Sequence, residues 1–252
     1  MSGTAITRLP LSIEHLIGLT KLDLRDCKNL SSLPNGCYSS MSLKSLNLFG
    51  CSKLVKLPEN LGNIETLEEL DLSGTAIITS FAVHFKNLKA LSLSRIPDPI
   101  GMLERSLIGS CSLTKLDLRF CNVQKIPNVL GCLSSLEHLN LGGNNFDFLP
   151  ESIIQLSNLR QLYMDGCTHL QMLPKLPLNI AYINANMCTS LETLSLRSES
   201  LFQPTIDPIN CDKLIKNQGC GDLFFTMLRR RIINQQVSLS LSLSLSLSHV
   251  KF

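Results

Sequence analysis

Leucine and isoleucine recur along this chain in a pattern that is clearest in residues 136–158, which read LEHLNLGGNNFDFLPESIIQLSN. Leu139 and Leu141 alternate with a polar residue, which is typical of a short strand with one buried face. Pro150 stops this strand, and beyond it apolar residues fall three apart, as on one face of a 3₁₀ or short α-helical turn. The first nine residues match the leucine-rich repeat signature LxxLxLxxN/C.

Eight such units follow one another, with starts 21 to 25 residues apart. One unit cannot bury its own leucines, so neighbouring units must stack into a common core. The predicted fold is an α/β solenoid, a leucine-rich repeat horseshoe with short parallel strands on its concave face and an irregular or short helical convex side. The strand cores are predicted at Leu22–Leu24, Leu46–Leu48, Leu70–Leu72, Leu91–Leu93, Leu116–Leu118, Leu139–Leu141, Leu162–Met164 and Ile183–Ala185.

The ninth positions of the units form a column in which all residues but one are small or polar: Cys27, Cys51, Thr75, Ile96, Cys121, Asn144, Cys167 and Cys188. Five of the ten cysteines therefore fall in this column, where a small buried residue with a weak donor is expected. A metal or redox site is the alternative, but the chain has no CxxC motif or His/Cys cluster with zinc spacing. We expect the column to be structural, with the Asn144 amide bonding to backbone groups of the turn, and expect no metal and no cofactor.

The repeats are predicted to span residues 19–197, and residues 1–18 read as the second half of a further repeat. We expect residues 1–18 to fray, because no polar terminal cap precedes them. Residues 198–235 are interpreted as the start of a truncated post-repeat domain, opening with a linker or irregular segment at 198–210. Residues 236–252 form a low-complexity Ser-Leu tail that we expect to be disordered and without function.

The unit that begins at Leu88 departs from the pattern after its strand, where Pro97 and Pro99 replace the usual turn. Proline removes a backbone donor and stiffens the chain. We therefore expect a local irregularity or bulge at residues 95–112.

Composition narrows the functional classes. A net charge of +3, from 23 basic and 20 acidic residues, does not indicate the basic surface that nucleic-acid binding requires. No apolar run of about 18 residues indicates a membrane span, and no signal peptide is recognisable. Without one, ten cysteines favour a reducing compartment, so we expect cytoplasmic localisation. Arg229, Arg230 and Arg231 leave a nuclear localisation open, although cations are also favourable near a helix C-terminus.

The pattern LxxLxLxxCxxLxxLPxxIxxLxxL resembles the C-terminal repeats of plant nucleotide-binding leucine-rich-repeat disease-resistance proteins (NLRs). LDLSGTAI at 70–77, SGTAITRLP at 2–10 and LPKLPLNIAYINANMCTSLETL at 173–194 are similar to the TIR-type branch. NCDKL at 210–214 is similar to the start of the post-repeat domain of that branch. The resemblance covers residues 1 to about 235.

This resemblance implies a protein-recognition module of an intracellular plant immune receptor. Its partners would be a pathogen effector, a guarded host protein or the nucleotide-binding domain of the receptor itself, whose activation the repeats restrain. The chain lacks a GxxxxGK[ST] loop and any TIR-like segment, so nucleotide binding and NAD cleavage are not carried over. Two alternatives stay open, namely a cytosolic repeat scaffold that regulates a signalling protein such as a small GTPase, and a truncated gene product without activity.

An enzyme is disfavoured, because no G-x-S-x-G, HExxH or Cys/His arrangement stands out. The predicted binding surface is instead the concave face, which carries the residues between the inward leucines. Tyr163 and Tyr182 should lie diagonally across adjacent strands, and tyrosine and arginine are enriched at binding hot spots. The alternative is an ordinary solvated sheet face. The candidate protein-binding residues are Arg119, Phe120, His138, Arg160, Tyr163 and Tyr182.

Overall fold

A computed structural model describes residues 1–36, 41–77, 85–97, 99–106, 112–194 and 204–217. Each repeat contributes one three-residue strand to a main sheet, and short strands on another side of the solenoid form a second sheet. The strands are β1 Lys21–Asp23, β2 Ser45–Asn47, β3 Glu69–Asp71, β4 Ala90–Ser92, β5 Lys115–Asp117, β6 His138–Asn140, β7 Gln161–Tyr163, β8 Met172–Leu173, β9 Tyr182–Asn184, β10 Thr193–Leu194 and β11 Thr205–Asp207.

The main sheet has nine strands in the order β1-β2-β3-β4-β5-β6-β7-β9-β11. Every neighbouring pair is parallel and aligned so that the central apolar residues meet, as with Leu116, Leu139 and Leu162. β8 and β10 form the second sheet. Stacking in this register builds one continuous core of leucines, isoleucines and cysteines. The predicted leucine-rich repeat solenoid is confirmed.

Helical segments close the repeats on the side opposite the main sheet. In the described ranges, 3₁₀ helices span Leu11–His15, Glu59–Asn63, Asn128–Cys132 and Glu151–Gln155. Two α-helices are α1 Pro99–Ser106 and α2 Asp212–Lys216. Within the described part of the chain, no helix has the length and apolar character needed to cross a bilayer.

The strands lie one residue earlier than predicted from the leucine spacing. β6, for example, covers His138–Asn140, whereas the predicted core was Leu139–Leu141. Leu141 still donates its backbone N–H to Tyr163 O at 2.8 Å, but the chain turns immediately afterwards. Gly143 has φ of 66°, and left-handed backbone of this kind ends a strand. The same position is left-handed throughout the array, for example at Gly50, Gly74 and Gly166.

The main sheet continues past residue 197, where the repeats were predicted to end. β11 pairs with β9 in register, so that Ile206 lies opposite Ile183 and is buried. Cys211 follows Cys188 by one repeat length, and its thiol donates a hydrogen bond to Ala185 O at 3.0 Å. The prediction of a linker or irregular segment at 198–210 is therefore wrong for Thr205–Asp207, because pairing with β9 satisfies that backbone in a strand.

The predicted irregularity at residues 95–112 takes the form of α1, an eight-residue α-helix in place of a short 3₁₀ helix. Pro99 is tolerated at the first helical position, where its missing N–H has no intrahelical partner. The main sheet is not bulged, because β4 and β5 pair in register with Leu91 opposite Leu116. Among the described residues of this segment, the irregularity lies on the helical side of the repeat, and residues 98 and 107–111 lie outside the described ranges.

The ninth-position column is structural, as predicted. Cysteine thiols of this column are buried and donate to backbone carbonyls of the preceding repeat, for example Cys51 to Leu24 O at 3.2 Å and Cys167 to Leu141 O at 3.2 Å. Asn144 occupies the same column and uses both ends of its amide, since Nδ2 donates to backbone carbonyls and Oδ1 accepts backbone N–H groups. At the cysteine and asparagine positions these bonds attach a repeat to the one before it, whereas Thr75 bonds to Leu72 O within its own repeat.

Asn144 is fully buried and makes four hydrogen bonds. Its Nδ2 donates to Leu118 O at 2.8 Å and to Leu141 O at 2.7 Å. Its Oδ1 accepts the N–H groups of Cys121 and Val123, both at 3.1 Å. The prediction that this amide serves backbone groups at the turn is confirmed.

Candidate functional site

The concave face of the main sheet carries the first and third residue of every strand, because the second residue points into the core. Between β4 and β7 this face has a shallow depression of about 430 Å³. Polar side chains line it, including Ser92, Lys115, Asp117, His138, Asn140, Gln161 and Tyr163. The depression is open to one side, and it spans four adjacent strands.

Third strand residues of the array mostly have a structural task. Asp23, Asn47, Asp71, Asp117, Asn140 and Asn184 each accept, on Oδ1, the backbone N–H of the residue two positions later. The distances lie between 2.9 and 3.1 Å. This local bond satisfies a backbone donor where the chain leaves the strand. Asp117, Asn140 and Asn184 are therefore explained by the fold and need no binding partner.

Tyr163 occupies the same third position in β7 but has no carbonyl-type oxygen that could make this bond. Its hydroxyl group instead donates to Gln161 Oε1 at 2.7 Å, on the surface of the sheet. His138 Nδ1 contacts the same Gln161 oxygen at 3.0 Å. Tyr163 thus belongs to a surface network across β6 and β7 rather than to the turn, and the fold does not account for its presence.

Tyr163 and Tyr182 lie against each other, with ring centroids 5.5 Å apart and ring planes tilted by 58°. Gln161 is the residue directly opposite Tyr182, so the two tyrosines are diagonal neighbours on β7 and β9. This confirms the predicted placement. Tilted aromatic pairs at this separation are a favourable arrangement, which holds both rings in place on the half-exposed face.

Asp207 extends the cluster onto β11. Tyr182 donates its hydroxyl proton to Asp207 Oδ2 at 2.8 Å. Burial raises the pKa of the Tyr182 phenol to about 12, and the Asp207 carboxylate adds to the effect because it stabilises the protonated phenol. The hydroxyl group is therefore a fixed donor to Asp207 at neutral pH.

Arg119 and Phe120 follow β5 and lie at the rim of the face. The Arg119 guanidinium group forms a two-point ion pair with Asp117, with its shortest contact at 2.8 Å, and this pair raises the arginine pKa. Phe120 is 51% exposed and has φ of 56°, which is unusual for a bulky residue. The guanidinium carbon of Arg95 lies 5.5 Å from the centre of the Phe120 ring, within the range of a cation–π contact.

The six predicted residues therefore do not form one cluster. The structure brings together His138, Tyr163 and Tyr182, with Gln161 connecting the first two. Arg119 and Phe120 lie at the C-terminal ends of the strands. Exposed Arg160 precedes β7 at the opposite end, where its backbone oxygen accepts the Tyr182 N–H at 3.0 Å.

Asp207 was missed from the sequence because residues 198–210 were assigned outside the repeats. One signal was present, namely the spacing of 23 residues that separates Cys211 from Cys188, as in the preceding units. Few apolar residues surround Ile206, and Pro204 and Pro208 flank it, so the strand pattern of this repeat is hard to recognise in the sequence. Recognition of the ninth-position cysteine would have placed Asp207 on the concave face.

Comparison with known proteins places these observations in a family context. A family model described as "Leucine rich repeat" matches residues 111–170. The chain is 38% identical over 199 residues to the Disease resistance-like protein DSC1 of Arabidopsis thaliana, and 34% identical over 223 residues to the TMV resistance protein N of Nicotiana glutinosa. These matches cover 77% and 85% of this chain. The resemblance to the repeat region of TIR-type NLR disease-resistance proteins is confirmed.

The chain spans only 16% and 20% of the lengths of those two relatives. Among solved structures, the leucine-rich repeat domain of the type III effector XopL superposes with a TM-score of 0.59 and 28% identity, covering 71% of this chain and 64% of that one. The Toll–Spätzle complex of Drosophila gives 0.51 at 18% identity, covering 83% of this chain and 27% of that one. The second likeness shows the fold alone.

Proposed function

We propose that this chain is a protein-recognition module of an intracellular plant immune receptor, and that its partner docks on the concave face of β5, β6, β7, β9 and β11. The similarity to disease-resistance proteins over 77% of the chain supports the class of receptor. The observation that carries the site is Tyr163, which stands where six other repeats have an Asp or Asn that caps the turn. Where a repeat has an exposed aromatic side chain in place of the residue that caps the turn, that side chain is a candidate for binding a partner.

The shape of the face favours a protein over a small molecule. Nine strands at about 4.8 Å spacing give a sheet edge of roughly 38 Å, which suits an extended protein contact. Small ligands are usually held in concave pockets that bury most of their surface. The depression between β4 and β7 is instead shallow and open, so it would leave much of a small ligand exposed.

Three partners fit this role: a pathogen effector, a guarded host protein, and the nucleotide-binding domain of the receptor to which the repeats belong. Contact with the last of these would restrain activation until an effector or host protein displaces it. A cytoplasmic location, with a nuclear one left open, follows from the same proposal.

The test is direct binding between the full 252-residue chain and a panel of purified pathogen effectors, together with the nucleotide-binding domain of the TMV resistance protein N. Biolayer interferometry supplies Kd values. For any partner found, Tyr163→Ala and Tyr182→Ala should each weaken binding by more than ~1 kcal/mol, as residues at the centre of an interface do.

Glu151→Ala and Gln155→Ala are the matched controls, because both residues are exposed on the helical side, in the Glu151–Gln155 3₁₀ helix. These variants should bind as the wild type does. Circular dichroism melting shows whether each variant is folded. Normal binding by both tyrosine variants, with loss of binding in the two controls, would place the interface on the helical side and overturn the proposal.

A further inference from the structure

The tyrosine cluster on β7, β9 and β11 presents acceptors outward rather than donors. The only hydroxyl proton of Tyr182 is donated to Asp207, which can act only as an acceptor when ionised. Tyr163 donates its hydroxyl proton to Gln161 Oε1 at 2.7 Å. The lone pairs of both phenol oxygens, the carboxylate of Asp207 and the faces of the two rings are what a docking partner meets.

Charge on this part of the face has one sign. The three strands, together with the two residues that follow each, contain two charged side chains, Asp165 and Asp207, and both are acidic. Each carboxylate is half-exposed, and each acts on the Tyr182 phenol by raising its pKa, after the larger effect of burial. The negative potential of Asp165 and Asp207 therefore extends over the aromatic pair.

Three cations on neighbouring elements have other positions or partners. Arg119 is paired with Asp117 at 2.8 Å on the rim after β5, and the Asp165 carboxylate has a smaller effect on it than Asp117 does. Arg160 precedes β7, at the opposite ends of the strands from Asp165. Lys213 is paired with Glu192 at 3.0 Å. Among the residues that the structure describes, none of these three side chains forms an ion pair with Asp165 or Asp207, so both carboxylates are available to a cation of a partner.

We infer that Tyr163, Tyr182, Asp165 and Asp207 form a subsite for a cationic side chain, an arginine or lysine on a basic segment of the protein partner. The ring faces contribute cation–π attraction, which is effective within about 6 Å of the ring centroid. The two carboxylates complement the charge. This inference rests on the proposed protein-binding role of the concave face and names the chemistry of the group that enters it.

The experiment uses the full chain with ¹³C-labelled tyrosine rings, because the protein has only three tyrosines, Tyr38, Tyr163 and Tyr182. Tyrosine-to-phenylalanine variants assign the three signals. The probes are three capped tripeptides, acetyl-glycyl-X-glycinamide, in which X is arginine, its neutral isostere citrulline, or glutamate. Each is titrated at low ionic strength, where screening of charge is weakest.

The arginine peptide should shift the ring signals of Tyr163 and Tyr182, and the citrulline and glutamate peptides should shift them much less. Asp207→Asn and Asp165→Asn should each weaken arginine binding by roughly fivefold, in line with the strength of exposed cation contacts. Asn at position 207 keeps an acceptor for Tyr182. Asp147→Asn removes an exposed carboxylate away from the cluster and is the matched control.

Tyr182→Phe distinguishes this inference from the alternative that the partner hydrogen-bonds to the Tyr182 hydroxyl group. Phenylalanine keeps the ring and frees the Asp207 carboxylate, so arginine binding should be retained or tightened. Equal shifts from arginine and citrulline, a stronger response to glutamate, no response to arginine, or unchanged binding after Asp207→Asn would each overturn the subsite. If such a failure accompanies loss of a protein partner in Tyr163→Ala, the proposed function stands and only the cationic subsite is wrong.

Discussion

The Phe120 ring lies against the backbone of Gly143 in the next repeat, and both residues have a positive φ, 56° and 66°. A Cβ atom at Gly143 would overlap the ring of Phe120. Glycine is thus required at this position both for its backbone conformation and for the close approach of an aromatic side chain. The rim of the concave face depends on this contact, since it supports the exposed ring that Arg95 also contacts.

Gly143→Ala should lower the free energy of unfolding by about 1–3 kcal/mol, because the added methyl group strains a left-handed backbone and displaces Phe120. Urea denaturation followed by circular dichroism measures the change. Gly18→Ala is the matched control, since its Cβ would meet nothing within 4 Å and its φ lies outside the left-handed region. Equal destabilisation by both variants would show that the contact with Phe120 has no energetic importance.

Asn144→Ala should lower the free energy of unfolding by about 2–4 kcal/mol. The substitution leaves two backbone N–H groups and two carbonyls without the buried amide that serves them. The neighbouring Asn145 makes one side-chain hydrogen bond, to Asn122 Oδ1 at 2.6 Å at the surface, so Asn145→Ala should cost below ~1 kcal/mol. A cost for Asn144→Ala as small as that of the control would contradict the structural role of this position.

Leu141→Ala should cost ~2–5 kcal/mol, because the side chain is fully buried between the repeats on either side and its removal leaves a cavity. Leu178→Ala removes the same atoms from a side chain that is 58% exposed, and should cost below ~0.5 kcal/mol. Thermal and urea denaturation compare the two variants. A loss below ~1 kcal/mol at Leu141 would mean that the register of the repeat is wrong.

Stability should fall as the pH rises above about 9. Burial raises the pKa of the Cys51 and Cys167 thiols from the ordinary 9.0 to about 11. Between these values the unfolded chain has lost its thiol protons and the folded chain retains them, so raising the pH favours unfolding. The contribution is fully present below pH 9 and is lost as the pH rises through 11.

Urea denaturation at a series of pH values under reducing conditions measures this slope. The double variant Cys51→Thr and Cys167→Thr removes two of the titrating thiols, and threonine already occupies the same column at Thr75. The variant should have a shallower decline of stability between pH 9 and 11. An unchanged slope would assign the alkaline loss to other groups, such as Tyr182, whose pKa is raised to about 12.

Much of this fold can be predicted from the spacing of apolar residues. Leucines that alternate in a strand and recur every 21 to 25 residues have one way to be buried, which is to stack in register. That constraint locates eight strands to within one residue and places Tyr163 and Tyr182 diagonally on one face. The alternation has a period of two, so it also decides which side chains point outward.

The remaining features depend on contacts between repeats. Residues 205–207 include a single apolar residue, and they form a strand because their backbone pairs with that of β9. Only that pairing brings Asp207 within 2.8 Å of the Tyr182 hydroxyl group. Spacing along the chain determines which face of the sheet a side chain occupies. The group to which it hydrogen-bonds depends on which strand lies next to it. The contribution of Asp207 to the acidic tyrosine cluster therefore arises from tertiary structure, since this carboxylate lies 25 residues away from the phenol that it binds.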